Sequence, residues 1–312
     1  RSVVFVHGSA NDHSVWTMQA RYFAHHGWNA LAVDWPGHGK SFGDAKTSIA
    51  SSADWLINLL DNGSIERTAL VGHSMGSLIA LDAATCRVKW RHRWQTRDEL
   101  GFQRNRGIAI KDGRVLRGTP DGYLLALNAD TGAQLWARQV AKPAEGETFS
   151  MAPLVFEDLV LIGPAGSENN LQGWVGAFKA SDGTPVWRFN TVPKPGEPGF
   201  ETWRNPKGIP MGGGAVWTAF ALDTENGDLH VAVTNPSPDL PVHLRQGNNL
   251  YTNSIVVLDV RTGTLRWHRQ LVPNDSHDWD VTHATPMITT TINGVARRLV
   301  MTTGKDGMLR AL

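Results

Sequence analysis

One unit is written four times in this chain: LDAATCRVKW (81–90), LNADTGAQLW (127–136), FKASDGTPVW (178–187) and LDVRTGTLRW (258–267). Each joins an apolar strand end to an Asp/Thr/Gly turn and then to a second strand that closes on Trp. The closing tryptophans stand 46, 51 and 80 residues apart. A period near 45–50 residues with about four strands per repeat marks a β-propeller blade, a sheet that buries its faces against its neighbours. The 80-residue interval has room for a further blade with a weakened signature, and VWTAFALDTENGDLHVAV (216–233) fits that role. The turn Gly permits a positive φ, and the blade Trp is predicted to pack between adjacent sheets. Thirteen Trp against three Tyr, with 32 Gly, agree with a repeated Trp position among short strands and tight turns. Cys86 stands in the first unit where the other three have Gly, so that unit is imperfect or joined.

Residues 1–84 follow a different grammar. VVFVHG (3–8) reads as a buried strand, MQARYFAHHG (18–27) as a helix with a Gly stop, and NALAVDWPG (29–37) as a second strand. SSADWLINLLDNG (51–63) has a Ser start, helical apolar spacing and a closing Gly. TALVGHSMGSLIALDAA (68–84) reads as strand, turn, helix. Alternating strands and helices predict a parallel sheet covered on both faces.

Composition excludes several classes. A net charge of +1 with 19% charged residues does not suit a nucleic-acid or anionic-membrane surface, which needs clustered Lys and Arg. No apolar run approaches the roughly 18 residues of a membrane span. Arg1 leads straight into SVVFVHG, so no signal peptide is read. The single Cys86 excludes an internal disulfide and a thiol zinc site.

GHSMG (72–76) fits G-x-S-x-G between a strand and a predicted helix, a turn that lifts a serine hydroxyl above a sheet edge. HGS (7–9) and DWPGHGKS (34–41) follow the first two strands. Together these resemble the α/β-hydrolase family over residues 1–84. The resemblance implies Ser74 as nucleophile and the N–H groups of Ser9 and Met75 as an oxyanion hole. Such a serine needs a histidine base and an orienting carboxylate, which the family draws from later strands. The sequence after residue 86 does not look like those strands, and Asp34 comes too early to be the usual acid.

The region 87–312 resembles the quinoprotein alcohol dehydrogenases, which bind pyrroloquinoline quinone (PQQ) at the centre of an eight-bladed propeller. Separate motifs in the family's order carry the resemblance over four to five blades. NRGIAI (105–110) implies Arg106 on the PQQ carboxylates, where a guanidinium fork suits a planar polycarboxylate. SMAPLVFEDLVLIG (150–163) implies Ser150 as a hydroxyl contact. GGGAVW (212–217) implies Trp217 stacked under the quinone, and GKDGML (304–309) implies Lys305 on the quinone oxygens. GSENNLQGWVGAF (166–178), VTNPSPD (233–239) and NDSHDWDVTHATP (274–286) imply Glu168, Asn235 and Asp280 as calcium ligands, with Asp280 also the catalytic base. These three lie 67 and 45 residues apart, which predicts successive blades facing one axis.

Departures narrow the implication. Leu100 and Gly101 stand where well-known members have an adjacent Cys pair, so no vicinal disulfide is expected. Ala165 replaces a Ser of the methanol-oxidising branch, and Thr282 replaces an Asp of the lanthanide branch, which favours calcium. Without a C-x-x-C-H haem motif, electrons must leave to a separate acceptor such as a cytochrome c. The resemblance also implies a periplasmic location.

The expected architecture is mostly β. A partial propeller of four-stranded blades over 85–312 follows an incomplete three-layer α/β segment over 1–84, with a junction between Ala83 and Arg87. LDAAT belongs equally to a hydrolase helix and to a propeller repeat, so a natural fusion and an assembly of two fragments both remain open. Three functions follow: PQQ- and calcium-dependent oxidation of an alcohol, ester hydrolysis through Ser74, or a non-catalytic propeller that binds partners.

Overall fold

In the computed structural model the first apolar run becomes β1 (Ser2–Val6), followed by α1 (Thr17–His25), β2 (Asn29–Val33), α2 (Ile49–Asn62) and β3 (Thr68–Gly72). The structure describes residues 2–7, 12–46, 49–65, 68–72, 79–81, 88–96, 105–281 and 287–312. β1 lies between β2 and β3 and pairs in parallel with both. Alternation along β1 divides its two faces. Val4 and Val6 pack with Val33 against Leu56 and Leu60 of α2. Phe5 turns the other way, against Trp16 and against Phe23 of α1. Helices therefore cover both faces of the sheet, which is the predicted three-layer arrangement. Ser52, Leu56 and Leu60 are buried at four-residue spacing, the stripe that seats α2.

The expectation of a helix through SLIALDAA is overturned where the chain is described. β4 (Ile79–Leu81) is a strand, antiparallel to β5 (Val88–Arg91). A short apolar run has no periodicity of its own to separate strand from helix, and pairing with the Trp-bearing strand decides. The hairpin grammar of the repeats is thus in force by residue 79.

Three four-stranded sheets follow, each in chain order. The first holds β6 (Ala109–Lys111), β7 (Arg114–Gly118), β8 (Tyr123–Asn128) and β9 (Gln134–Gln139). The second holds β10 (Leu154–Phe156), β11 (Leu159–Ile162), β12 (Trp174–Lys179) and β13 (Pro185–Asn190). A short strand β14 (Gly212–Gly213) comes next in the chain, before β15 (Ala221–Asp223) and β16 (Asp228–Val233). The third sheet joins β15 and β16 to β18 (Ser254–Asp259) and β19 (Leu265–Gln270), while β17 (Pro236–Ser237) pairs with β14 outside it. A last sheet holds β20 (Met287–Ile292), β21 (Val295–Thr303) and β22 (Leu309–Ala311). The further blade expected at 216–233 is therefore not a separate one. Those residues supply the first two strands of the blade that ends at Trp267, and the long interval holds extended loops instead.

The unit folds alike at 127–136, 178–187 and 258–267, and the reasons are local. Asn128 and Asp259 accept backbone N–H bonds from Asp130 and Thr131, and from Arg261 and Thr262, so the side chain closes the turn. Gly132, Gly183 and Gly263 then adopt φ of 72°, 73° and 72°. A Cβ on any of them would meet a Trp ring at 2.6, 2.8 or 2.5 Å: Trp90, Trp136 and Trp187 respectively. The indoles of those tryptophans also donate to Ala129, Ala180 and Val260 carbonyls. Each Trp thus docks on the turn of the next Trp-ended unit. Between the three full sheets lies one apolar core that includes Leu124, Leu161, Trp174, Val231 and Val256.

The chain divides into two compact units. The first holds residues 1–94, 105–107 and 128–133, and the second holds the remainder. No helix among the described residues is long and apolar enough to cross a membrane.

Candidate metal and cofactor site

Antiparallel strands in chain order put the second-to-third and fourth-to-first connections on the same edge of each sheet. Glu168, Asn235 and Lys305 lie in the second-to-third connections of three successive sheets. Ser150, Trp217 and Asp280 lie in the connections that lead into a first strand. The candidates of the second unit therefore leave the sheets on one face. Arg106 lies in the first unit, on the connection between β5 and β6, and enters through its motif alone.

Local structure explains how three loops meet. Ser167, next to Glu168, is buried, and its hydroxyl lies 2.9 Å from that of Thr234, next to Asn235. The same Ser167 oxygen accepts the Ala215 N–H, and the Thr234 hydroxyl donates to the Ala215 carbonyl. β14 runs between them: Gly213 pairs with Pro236, its N–H donates to the Leu171 carbonyl, and the Gly214 N–H donates to the Asn235 carbonyl. A Cβ on Gly212 would strike the Leu171 carbonyl at 2.4 Å, and one on Gly213 the Asn235 carbonyl at 2.5 Å. The glycine run is therefore needed for close backbone approach. Trp217 follows this run and is partly exposed; Ser150 is buried between Phe149 and Met151.

Asp280 sits at the centre of the charged part. It is buried, accepts the Asn235 N–H on Oδ1 at 2.9 Å, and pairs through Oδ2 with Lys305 Nζ at 2.9 Å. The Lys305 N–H also donates to the Asp280 carbonyl, and Val281 bridges Gly304. Burial raises the Asp280 carboxyl to about 6; Lys305 and the Asn235 N–H oppose the rise, and the Asp278 charge adds to it. Lys305 also pairs with Asp278 at 2.6 Å. Burial works against its charge, but the two carboxylates outweigh it and push its pKa up.

Asn235 is fully buried, and its Oδ1 has no hydrogen-bond partner among the described residues. The Asp278 Oδ1 is likewise buried and unpartnered. Orphaned buried oxygens beside carboxylates are costly unless something electropositive meets them. Asp239 lies close by, its carboxyl pushed up by burial and by the charges of Asp278 and Glu168. Carboxylate and amide oxygens are the donors a hard divalent cation takes, so the set fits calcium. Among the described residues, the acidic groups of this site do not all converge within 4.8 Å; only Asp12, His13 and Asp34 do so. Like charges repel, and Lys305 occupies the space between two of them. For PQQ, an ammonium, a buried hydroxyl and an indole offer what a flat polycarboxylate uses, so the side chains present fit that group as well.

Asp239, Asp278, Ser167 and Thr234 were not singled out in the sequence, although all lie inside or beside the quoted motifs. Ser9, Ser74 and Met75 fall outside the described residues, as do Leu100, Gly101 and Thr282. In the loop after β2, Asp34 accepts from the His13 N–H and the Lys40 N–H and pairs with the His13 ring at 2.8 Å. Its acceptors are used within the fold.

Residues 65–312 match the family model of the glucose/ethanol/alcohol dehydrogenase β-propeller domain, and residues 1–85 match that of the alpha/beta hydrolase fold. The two matches overlap at 65–85, the stretch that contains β3 and β4. The chain belongs to the PQQ-type alcohol dehydrogenase propeller family. It is similar to the quinohemoprotein alcohol dehydrogenase ADH IIB of Pseudomonas putida, at 31% identity over a 316-residue alignment covering 89% of this chain and 45% of that protein. The crystal structure of the quinohemoprotein alcohol dehydrogenase from Comamonas testosteroni superposes with a TM-score of 0.66 at 31% identity, over 75% of this chain and 38% of that one. A europium-containing methanol dehydrogenase superposes with a TM-score of 0.65 at 27% identity, over 73% and 44%. The chain spans less than half the length of the curated relatives it matches.

Proposed function

We propose that this chain carries much of the PQQ and metal site of an alcohol dehydrogenase, oxidising an alcohol to an aldehyde or ketone. One observation carries the reading. A buried carboxylate, Asp280, stands between a cationic Lys305 and a buried Asn235 whose side-chain oxygen has no partner among the described residues. Calcium is the cation proposed, held by Glu168, Asn235 and Asp280, with PQQ contacted by Arg106, Ser150, Trp217 and Lys305. When bound, PQQ supplies the two-electron oxidant and calcium a Lewis acid.

The chain's own residues do the rest. Asp280, with a carboxyl near 6, is ionised at neutral pH and takes the proton of the alcohol hydroxyl. Lys305 keeps that carboxylate oriented and presents a cation beside it. Trp217 offers a flat apolar face. Electrons pass to a separate acceptor such as a cytochrome c, and the location is periplasmic.

The test is dye-linked alcohol oxidation with added PQQ and calcium. Asp280→Asn should lower the rate about 10²–10⁴-fold, the usual worth of a general base, with the fold retained. An unchanged rate in Asp280→Asn, or no PQQ-dependent rate in the wild-type chain, would overturn the reading.

A second reading rests on the parallel β2-β1-β3 sheet with helices on both faces, and on its hydrolase match. In that reading Ser74 is an esterase nucleophile served by the Ser9 and Met75 N–H groups. Ester hydrolysis abolished by Ser74→Ala supports it; hydrolysis indifferent to the change removes it.

A further inference from the structure

We infer that Asp239 is a positioning residue that fixes the Asn235 side-chain amide with its oxygen turned toward the cation. The inference rests on the proposed metal site.

An asparagine amide has two unlike ends. Its oxygen suits a cation and its NH₂ repels one, and a half-turn exchanges them. Asn235 Nδ2 donates to Asp239 Oδ1 at 2.9 Å and to the Pro236 carbonyl at 3.2 Å. A carboxylate and a carbonyl can only accept, so they hold the nitrogen and leave Oδ1 facing the other way. That oxygen is buried and has no partner among the described residues. A turned amide would set an oxygen against two acceptors, so the rotamer has one sense.

Asp239 is in turn held. Arg245 is fully buried and donates to the carbonyls of Pro238 at 2.9 Å, Asp239 at 3.1 Å and Asp275 at 2.6 Å, and also to the Asn249 side-chain oxygen. The Asp275 carboxylate accepts the N–H groups of His277 and Trp279, the residue before Asp280. One guanidinium thus ties the loop that orients Asn235 to the loop that carries Asp280. Groups behind a ligand that fix its orientation are commonly worth 10–100-fold in metal affinity.

The test titrates calcium calorimetrically into chelator-stripped chain with PQQ in excess. Asp239→Ala removes the acceptor. Asp239→Asn removes the charge but keeps an oxygen for the Asn235 NH₂. The inference expects calcium affinity to fall about 10–100-fold in Asp239→Ala and less than about threefold in Asp239→Asn. Equal losses in both variants would make Asp239 an electrostatic contributor and overturn the orienting role, as would no loss in either. Glu168→Gln serves as control. If the wild-type chain takes up no calcium, or Glu168→Gln takes it up as the wild type does, the metal-site reading itself fails and the inference with it. Urea denaturation of each variant shows whether a loss of affinity comes from a loss of fold.

Discussion

Arg245 shows how much of the site depends on one side chain that touches no reacting group. Its guanidinium meets three carbonyls and an amide oxygen, away from solvent. Removing it leaves those neutral acceptors buried and unpaired, at about 1–3 kcal/mol each, so Arg245→Ala should cost at least about 3 kcal/mol by urea denaturation. Lysine cannot reproduce the fork, so Arg245→Lys should recover only part of that. At this scale the sequence was partly legible. Asn235, Asp280 and Lys305 could be placed by motif, and they are joined by hydrogen bonds and an ion pair. Asp239 and Asp278 could not be, because a single Asp in a Pro-rich or Trp-bearing loop carries no spacing signal. Their meaning comes only from the loops that bring them to Asn235 and Lys305.

Blades are where the sequence spoke most clearly, because turn chemistry and Trp position are both local. Gly183 must hold a positive φ and leave room for Trp136. Gly183→Ala violates both demands and should cost about 2–4 kcal/mol in thermal or urea unfolding. The turn at Asp259 gives a pH test. Hydrogen bonding by Arg266 is the main cause holding its carboxyl at about 2, against an ordinary 3.8, with the Thr262 and Arg261 N–H groups assisting. A depressed carboxyl stabilises the fold above its unfolded pKa and loses that contribution as pH falls through its folded one. Asp259→Asn should therefore cost about 1 kcal/mol at pH 7, since Arg266 is partly exposed. The difference should shrink as pH drops from 3.8 toward 2, measured by urea midpoints of both proteins. Two element expectations missed for physical reasons. Ile79–Leu81 is too short to show a period, and the two strands read at 216–233 are real but open the blade that ends at Trp267, because long Pro- and Gly-rich loops stretch the 80-residue interval.

At the scale of the whole chain, the residues proposed for the site, Glu168, Asn235, Asp280 and Lys305, lie far apart in sequence and stand in connections of successive sheets. Propeller topology makes that possible by setting alternate connections on one face, and the repeat period made it legible before any contact was known. What the period could not show is which loop oxygens lack partners, since that depends on packing among three loops. The measurement that bears most directly on the account is PQQ uptake by the chelator-treated chain, followed by quenching of its tryptophan fluorescence with and without calcium. The account predicts one PQQ bound per chain in the presence of calcium, and weakened binding in Glu168→Gln and Asp280→Asn. PQQ uptake that is absent, or that ignores both calcium and these substitutions, would contradict it.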